Sequence, residues 1–379
     1  MAALRGLALR LLPPASKFGD YVKFKTLLRT NLIPKFQPGA YRCLSSFQVI
    51  NDSYGDPRQV LTDRTVPVEL PLRDDQVLVK MKLAPINPSD INMVEGTYFI
   101  RPPLPAIVGN EGVGEVMEVG KGVKNLRMGD WVNPADSGWG TWRTLAVSSE
   151  KNLSKVANDV PELGAATLVV NPCTAYRMLK DYVDLKAGDI VMQNSANSAV
   201  GQAVIQLARE WNITTVNVVR NRPDIQDLEQ SLKRLGADHV ITEDFCRSPE
   251  MKPFMKSLPS APRLALNGVG GQSATELLRC LAQGGTMVTY GGMSRKPVTV
   301  PTGVLIFKEV RVLGYWNTEW NARNRDSPSK KKMVDELCDF MRQGKFQPPP
   351  SDVYSLEQYK DAVVAATEGF KAKKVVLKM

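Results

Sequence analysis

Residues 189–222, DIVMQNSANSAVGQAVIQLAREWNITTVNVVRNR, have the types and spacing to hold a phosphorylated anion. Residues 189–193 form a short apolar run, and residues 194–198 are small and polar. Apolar side chains then recur at Val200, Ala203, Val204, Leu207, Ala208 and Trp211, which predicts a helix over 200–211 with one apolar stripe. A second strand over 215–219 follows at the distance a βαβ crossover requires. Such a unit aims backbone N–H groups and the positive end of the helix dipole at an anion in the turn. A strict dinucleotide turn has three glycines, and only the last, Gly201, is present; Ala196 and Ser198 hold the first two places. By itself the segment is also compatible with a βαβ unit that has only a polar turn.

The end of the second strand adds to this. An NAD site carries an Asp or Glu roughly 20 residues past the glycine turn, for the ribose hydroxyl. Here that place reads Arg220-Asn221-Arg222. Two guanidinium groups suit a 2′-phosphate, which they bind in forked, charge-assisted geometry, so the segment points to NADP(H). The alternative is a pair of solvated surface arginines.

These residues need elements to position them. A chain of 379 residues with 43% hydrophobic and 23% charged content is an ordinary globular protein long enough for two domains. Its net charge of +10 is unevenly spread: residues 1–45 hold eight Lys or Arg and one acid, Asp20, giving +7 and leaving about +3 for the rest. That stretch is rich in Arg and Leu without a long apolar core, the composition of a mitochondrial transit peptide, with a disordered basic tail as the competing reading. No window has the 18 or so apolar residues that a membrane span requires. Five scattered cysteines give neither a disulfide framework nor a zinc knuckle, which fits a reducing compartment.

Beyond the leader, residues 46–170 read as β-rich, with alternating runs at 76–81 and 112–119 between Pro and Gly turns. A mostly antiparallel module is expected there. Across residues 171–314 strands alternate with helices: strands over 239–242, 263–267 and 286–290, helices over 228–235 and 272–282. That rhythm predicts an α/β doubly wound parallel sheet. Residues 315–379 read as a polar loop, helices over 330–341 and 356–367, and a strand over 374–378 that returns to the first module.

The motifs NPSDIN (87–92), GNEGVGEV (109–116), MGDWV (128–132), AATLVVNPCTAYRML (165–179) and LGADHVIT (235–242) are together similar to the medium-chain dehydrogenase/reductase superfamily. Within it, QNSANSAVGQAVIQLA (193–208), VVRNRPDI (218–225), LALN (264–267) and TMVTYGGM (286–293) resemble the mitochondrial trans-2-enoyl-CoA reductases. The resemblance covers nearly the whole chain beyond residue 46. It implies a GroES-like catalytic domain joined to a Rossmann domain that binds NADPH, and reduction of an enoyl thioester on coenzyme A or an acyl carrier protein. A homodimer in the mitochondrial matrix is implied as well.

In the superfamily's zinc alcohol dehydrogenases a Cys begins the NPSD stretch and a His lies inside the GNEG stretch. This chain has Asn87 and Asn110, and amides are poor zinc ligands, so no metal is expected. The lone histidine, His239, belongs to a predicted strand far from both motifs. Without a metal, a C=C bond conjugated to a thioester remains a suitable hydride acceptor, and the enolate that results needs a proton. The resemblance places the proton donor at Tyr98, whose phenol is protonated at neutral pH. It also assigns cofactor contacts to Asn171, Asn197, Ser198, Ala199, Val200, Arg220, Asn221, Arg222, Tyr290, Gly291, Gly292 and Met293. Tyr315, Trp316, Asn317, Thr318 and Lys374 complete that set. Ala199 replaces a glycine, and Tyr315, Asn317 and Thr318 replace other residues around Trp316, departures that bear on acyl chain length.

Residues 320–332, WNARNRDSPSKKK, crowd Lys330, Lys331 and Lys332 against the positive end of a helix dipole. An acidic carrier would relieve that crowding; a solvated surface run is the alternative. Two other functions fit the same scaffold: an NADPH-dependent quinone or alkenal reductase, and a non-enzymatic NADPH-dependent binding protein. The near-neutral charge beyond residue 45 and the lack of interleaved basic and aromatic residues argue against nucleic acid.

Overall fold

The computed structural model describes residues 44–368 and 373–379, so most of the proposed leader lies outside the described residues. Three sheets organise the described residues. Strand Ser45–Asn51 pairs antiparallel with Leu61–Pro67 and with Ala106–Ile107. The long strand Gln76–Pro85 is the hub of a second sheet, pairing antiparallel with Val113–Val119, Leu145–Ser149 and Lys374–Lys378. Ser351–Ser355 extends that sheet in parallel beside Lys374–Lys378, so the C-terminal segment closes onto the antiparallel lobe. The alternating pattern at 76–81 is the sign of this sheet: Val77, Val79 and Met81 point together into a core with Val116 and Val132.

The third sheet has six parallel strands, in the order His239–Thr242, Thr214–Val219, Ile190–Gln193, Leu264–Asn267, Thr286–Thr289 and Arg311–Gly314. Ile190–Gln193 and Leu264–Asn267 are adjacent, and the chain winds outward from them in opposite directions. Their carboxyl ends therefore form the switch point at which open α/β sheets bind ligands. Both strands are wholly buried, which explains their continuous apolar character.

The helix predicted over 200–211 is Ala199–Glu210, with Trp211 as its C-cap. Its residues from Val200 to Ala208 are buried, and each fully buried Val or Leu contributes about 1.5–3 kcal/mol. Ser198 caps the helix by accepting from the Gly201 N–H at 3.1 Å. Gly201 has a packing reason: a Cβ there would lie 2.5 Å from the Ala196 carbonyl oxygen.

One expectation requires correction. The segment after Tyr315 is not simply a polar loop, because it contains the helix Asn317–Arg323. A tertiary contact and a local one hold that helix: Arg177 packs over the Trp320 ring at 4.6 Å, and within the helix an i,i+4 Arg323–Glu319 pair at 2.7 Å closes one turn.

Candidate active site

A cleft of about 1500 Å³ runs between the antiparallel lobe and the carboxyl edge of the parallel sheet. On the parallel-sheet side it begins at the turn after Ile190–Gln193. Asn194 ties that turn to the neighbouring loop, donating to Asn267 Oδ1 at 2.8 Å and accepting from the Gly268 N–H at 2.8 Å. Asn267 in turn accepts from the Val269 and Gly270 N–H groups at 3.2 and 3.0 Å. Buried amide side chains thus fix two loops at the switch point, and Asn197, Ser198, Ala199 and Val200 line the cleft in front of them.

Tyr290, Gly291, Gly292 and Met293 form the adjoining wall. No Cβ fits at Gly268, where it would lie 2.8 Å from the Tyr290 hydroxyl. That hydroxyl is buried beside Ser198 without a well-formed hydrogen bond, and burial pushes its pKa up to about 12. A helix N-terminus, closely packed glycine loops and an unsatisfied phenol facing them fit a dinucleotide phosphate.

Arg220 and Arg222 diverge. Arg220 borders the cleft, whereas Asn221 and Arg222 do not. Asp224, two residues on, takes the Arg222 guanidinium in a bidentate contact, one arm of which is 3.0 Å.

On the antiparallel side, NPSDIN becomes the helix Pro88–Val94 with Asn87 as N-cap. Asp90 turns back to accept from the Asn87 N–H at 2.6 Å, and also from the Asn110 N–H and side-chain amide at 2.9 and 2.7 Å. Glu111 accepts from Asn87 Nδ2 at 2.8 Å and from the Val170 N–H at 2.8 Å. Lys374 donates its ammonium to Asn87 Oδ1, and Asn171 donates to the same oxygen at 3.3 Å. Burial raises Asp90 to about 6 and Glu111 to about 7, with Lys374 opposing both shifts, and burial lowers Lys374 itself. Spacing could not have revealed this cluster, since Lys374 lies 287 residues from Asn87.

Zinc does not fit here. Asn87 and Asn110 offer amides, the Asp90 and Glu111 carboxylates are engaged by N–H donors, the Lys374 ammonium already supplies positive charge, and no group of three or more His, Cys, Asp or Glu able to hold a metal exists among the described residues. His239 packs edge-on against Phe254 at 5.4 Å, outside the cleft lining.

Tyr98 stands where the two lobes meet. Its loop is fixed by Thr97 and Tyr98 N–H groups donating to the Asn92 carbonyl at 2.9 and 3.0 Å. From the opposite wall Trp316 Nε1–H donates to the phenol oxygen at 2.8 Å. Indole is only a donor, so the phenol accepts this bond and keeps its own proton available. Asn317 anchors the Trp316 segment by donating to the Val169 carbonyl at 3.0 Å, and the buried Tyr315 hydroxyl donates to Asn317 Oδ1 at 3.0 Å. Thr318 lies 3.5 Å from the phenol oxygen. Tyr98, Asn171, Tyr315, Trp316, Asn317, Thr318 and Lys374 thus converge on one cleft from four separate parts of the chain.

The basic run at 330–332 does not present three cations together. Lys331 is paired with Asp335 one turn on, and Lys330 turns into the cleft wall, where burial lowers its pKa.

A helix N-terminus at the switch point, facing a phenol across a polar cleft between an antiparallel lobe and a parallel sheet, is the arrangement of a two-domain, NADP-type reductase of the medium-chain dehydrogenase/reductase superfamily. Comparison agrees: the alcohol dehydrogenase GroES-like domain matches residues 73–158, and the zinc-binding dehydrogenase family matches residues 199–330. A mitochondrial enoyl-[acyl-carrier-protein] reductase of Xenopus tropicalis is 52% identical over 341 residues, covering 89% of this chain and 97% of that protein. The Homo sapiens protein of the same name is 51% identical over 327 residues, 86% of this chain and 87% of its own length. A solved complex of Etr1p with NADP and crotonyl-CoA superposes with a TM-score of 0.83 at 34% identity, covering 89% of this chain and all of that one. The chain belongs to the enoyl-[acyl-carrier-protein] reductase family.

Proposed function

We propose that this protein reduces the C2=C3 bond of trans-2-enoyl thioesters with NADPH, adding hydride at C3 and a proton from Tyr98 at C2. The observation that carries the reading is the Tyr98 phenol, held at the junction of the lobes by Trp316 and facing the walls that suit the cofactor. NADPH, when bound, supplies the hydride. The 194–198 turn and Arg220 suit its phosphates, while Asn171 and residues 315–318 suit its nicotinamide side. Trp316 Nε1–H stabilises the phenolate left after Tyr98 gives up its proton, because a charge-assisted bond strengthens as the acceptor becomes anionic. Lys374 and Asn171 fix Asn87, which braces the wall opposite the turn.

The matrix is the proposed location, supported by the +7 charge of residues 1–45 and by relatives named as mitochondrial proteins. Residues 46–170 with 315–379 are proposed as the catalytic domain and 171–314 as the nucleotide domain, with residues 1–45 as the transit peptide. A homodimer is proposed through the edge strand Arg311–Gly314, whose residues are exposed, next to Ile306 and Phe307 at 62% and 77% exposure. Whether coenzyme A or a carrier protein presents the acyl group is read by comparing KM for the two thioesters. NADPH oxidation with crotonyl, hexenoyl and decenoyl thioesters against a quinone control tests the proposal; a quinone-only rate would replace it with a quinone reductase.

A further inference from the structure

Tyr98 must regain its proton after every turnover, and the fold has placed two hydroxyl groups in line behind it. Thr318 Oγ1 lies 3.5 Å from the phenol oxygen, and Ser137 Oγ lies 3.0 Å from Thr318 Oγ1. The three residues come from separate elements. Thr318 occupies the first turn of the helix Asn317–Arg323, and Ser137 belongs to the loop that follows strand Trp131–Pro134. That loop is pinned, since the Gly138 N–H donates to Asn110 Oδ1 at 2.6 Å. Asn110 is in turn held by Asp90, which accepts from its side-chain amide at 2.7 Å. Buried polar residues at the base of the antiparallel lobe thereby set the position of Ser137.

Polarity gives the chain a direction. Trp316 already donates to the phenol oxygen, so once Tyr98 has lost its proton the oxygen carries negative charge and has capacity for a second donor. The nearest hydroxyl among the described residues is that of Thr318. If Thr318 turns its proton toward the phenolate, its own oxygen accepts from Ser137, and each bond strengthens the next. We propose that Thr318 and Ser137 form the relay that reprotonates Tyr98.

This proposal rests on Tyr98 being the acid. In the acid step the Tyr98 Oη–H bond breaks as the C2–H bond of the product forms, leaving phenolate. In the relay the Thr318 Oγ1–H bond breaks as the phenol O–H forms, and Ser137 replaces the Thr318 proton in the same concerted shift. Water at the cleft mouth replaces the Ser137 proton, and the hydroxide formed is neutralised by solvent. The net change is one solvent proton gained by Tyr98 for each proton delivered to C2.

The test uses the full chain with saturating NADPH and crotonyl thioester, in light and heavy water. Thr318→Val is expected to lower kcat by roughly tenfold and to raise the solvent deuterium isotope effect, while both KM values stay within about twofold. Thr318→Ser should recover most of the rate, and Ser137→Ala should fall between Thr318→Val and the native enzyme. Native kcat and isotope effect in Thr318→Val would overturn the relay, as would a Thr318→Ser variant no faster than Thr318→Val, since the hydroxyl would then not be the operative group. Should Thr318→Val lose its fold, judged by its melting temperature, Ser137→Ala decides alone: an unchanged isotope effect overturns the relay. Tyr98→Phe separates the layers. If it abolishes turnover while Thr318→Val keeps the native kcat and isotope effect, the relay fails and the acid stands; if Tyr98→Phe turns over normally, both fail.

Discussion

Two arginines separated by a single residue stand in different surroundings in this protein. Arg220 borders the cleft, whereas Arg222 is clamped by Asp224 outside it. Arg220→Ala is therefore expected to raise KM for NADPH about tenfold or more and to leave KM for NADH within about twofold, as befits a lost charge-assisted bond. Arg222→Ala should move both by less than about threefold, and initial-rate kinetics with the two nucleotides check this directly. The sequence showed that a basic pair stood where an acid would mark NAD, but not which member faced the cleft. That outcome turned on Asp224, whose side-chain direction spacing alone does not reveal. Tyr98 was legible only through resemblance, because its partner Trp316 is 218 residues away.

At the scale of elements, the turn and helix at 194–210 were legible because period and cap agree locally. Gly201 is the tightest point. Gly201→Ala would press a Cβ against the Ala196 carbonyl 2.5 Å away, a conflict with backbone that no rotamer relieves. The expected outcome is a loss of roughly 1–3 kcal/mol by urea unfolding, together with weaker NADPH binding as the turn shifts. Ser198→Ala should cost about 1 kcal/mol through the lost cap. The helix Asn317–Arg323 was not legible: its seven residues carry no apolar stripe, and Trp320 with Arg177 holds it from outside its own sequence. Strand Arg311–Gly314 escaped for a related reason, as its residues are all exposed and lack the buried run that marked its neighbours.

For the molecule as a whole, the buried set of Asp90, Glu111 and Lys374 ties the N-terminal and C-terminal parts of the antiparallel lobe together. Asp90 and Glu111 have folded-state pKa values raised to about 6 and about 7, above their usual 3.8 and 4.5. The native state therefore holds these protons more tightly than the unfolded chain does, and the associated stability is complete below about pH 4 and lost as pH rises through 6 to 7. Lys374, lowered by burial, has the opposite slope on the alkaline side. Urea midpoints should thus contain a component that declines from pH 5 to pH 8, and Glu111→Gln should flatten it; an unchanged slope would place the titration elsewhere. The division into an antiparallel module and a doubly wound parallel sheet was legible from the pattern of strands and helices, and so was the return of the last strand, but the pairing of residues 376–378 with residues 83–85 is a long-range register that no local pattern encodes. The proposed function turns on one step, the transfer of the Tyr98 phenolic proton to an enoyl thioester reduced by NADPH. The most direct measurement is kcat of Tyr98→Phe with saturating crotonyl thioester and NADPH, followed at 340 nm: a fall of about 10²–10⁴-fold is expected, and native turnover would contradict the account.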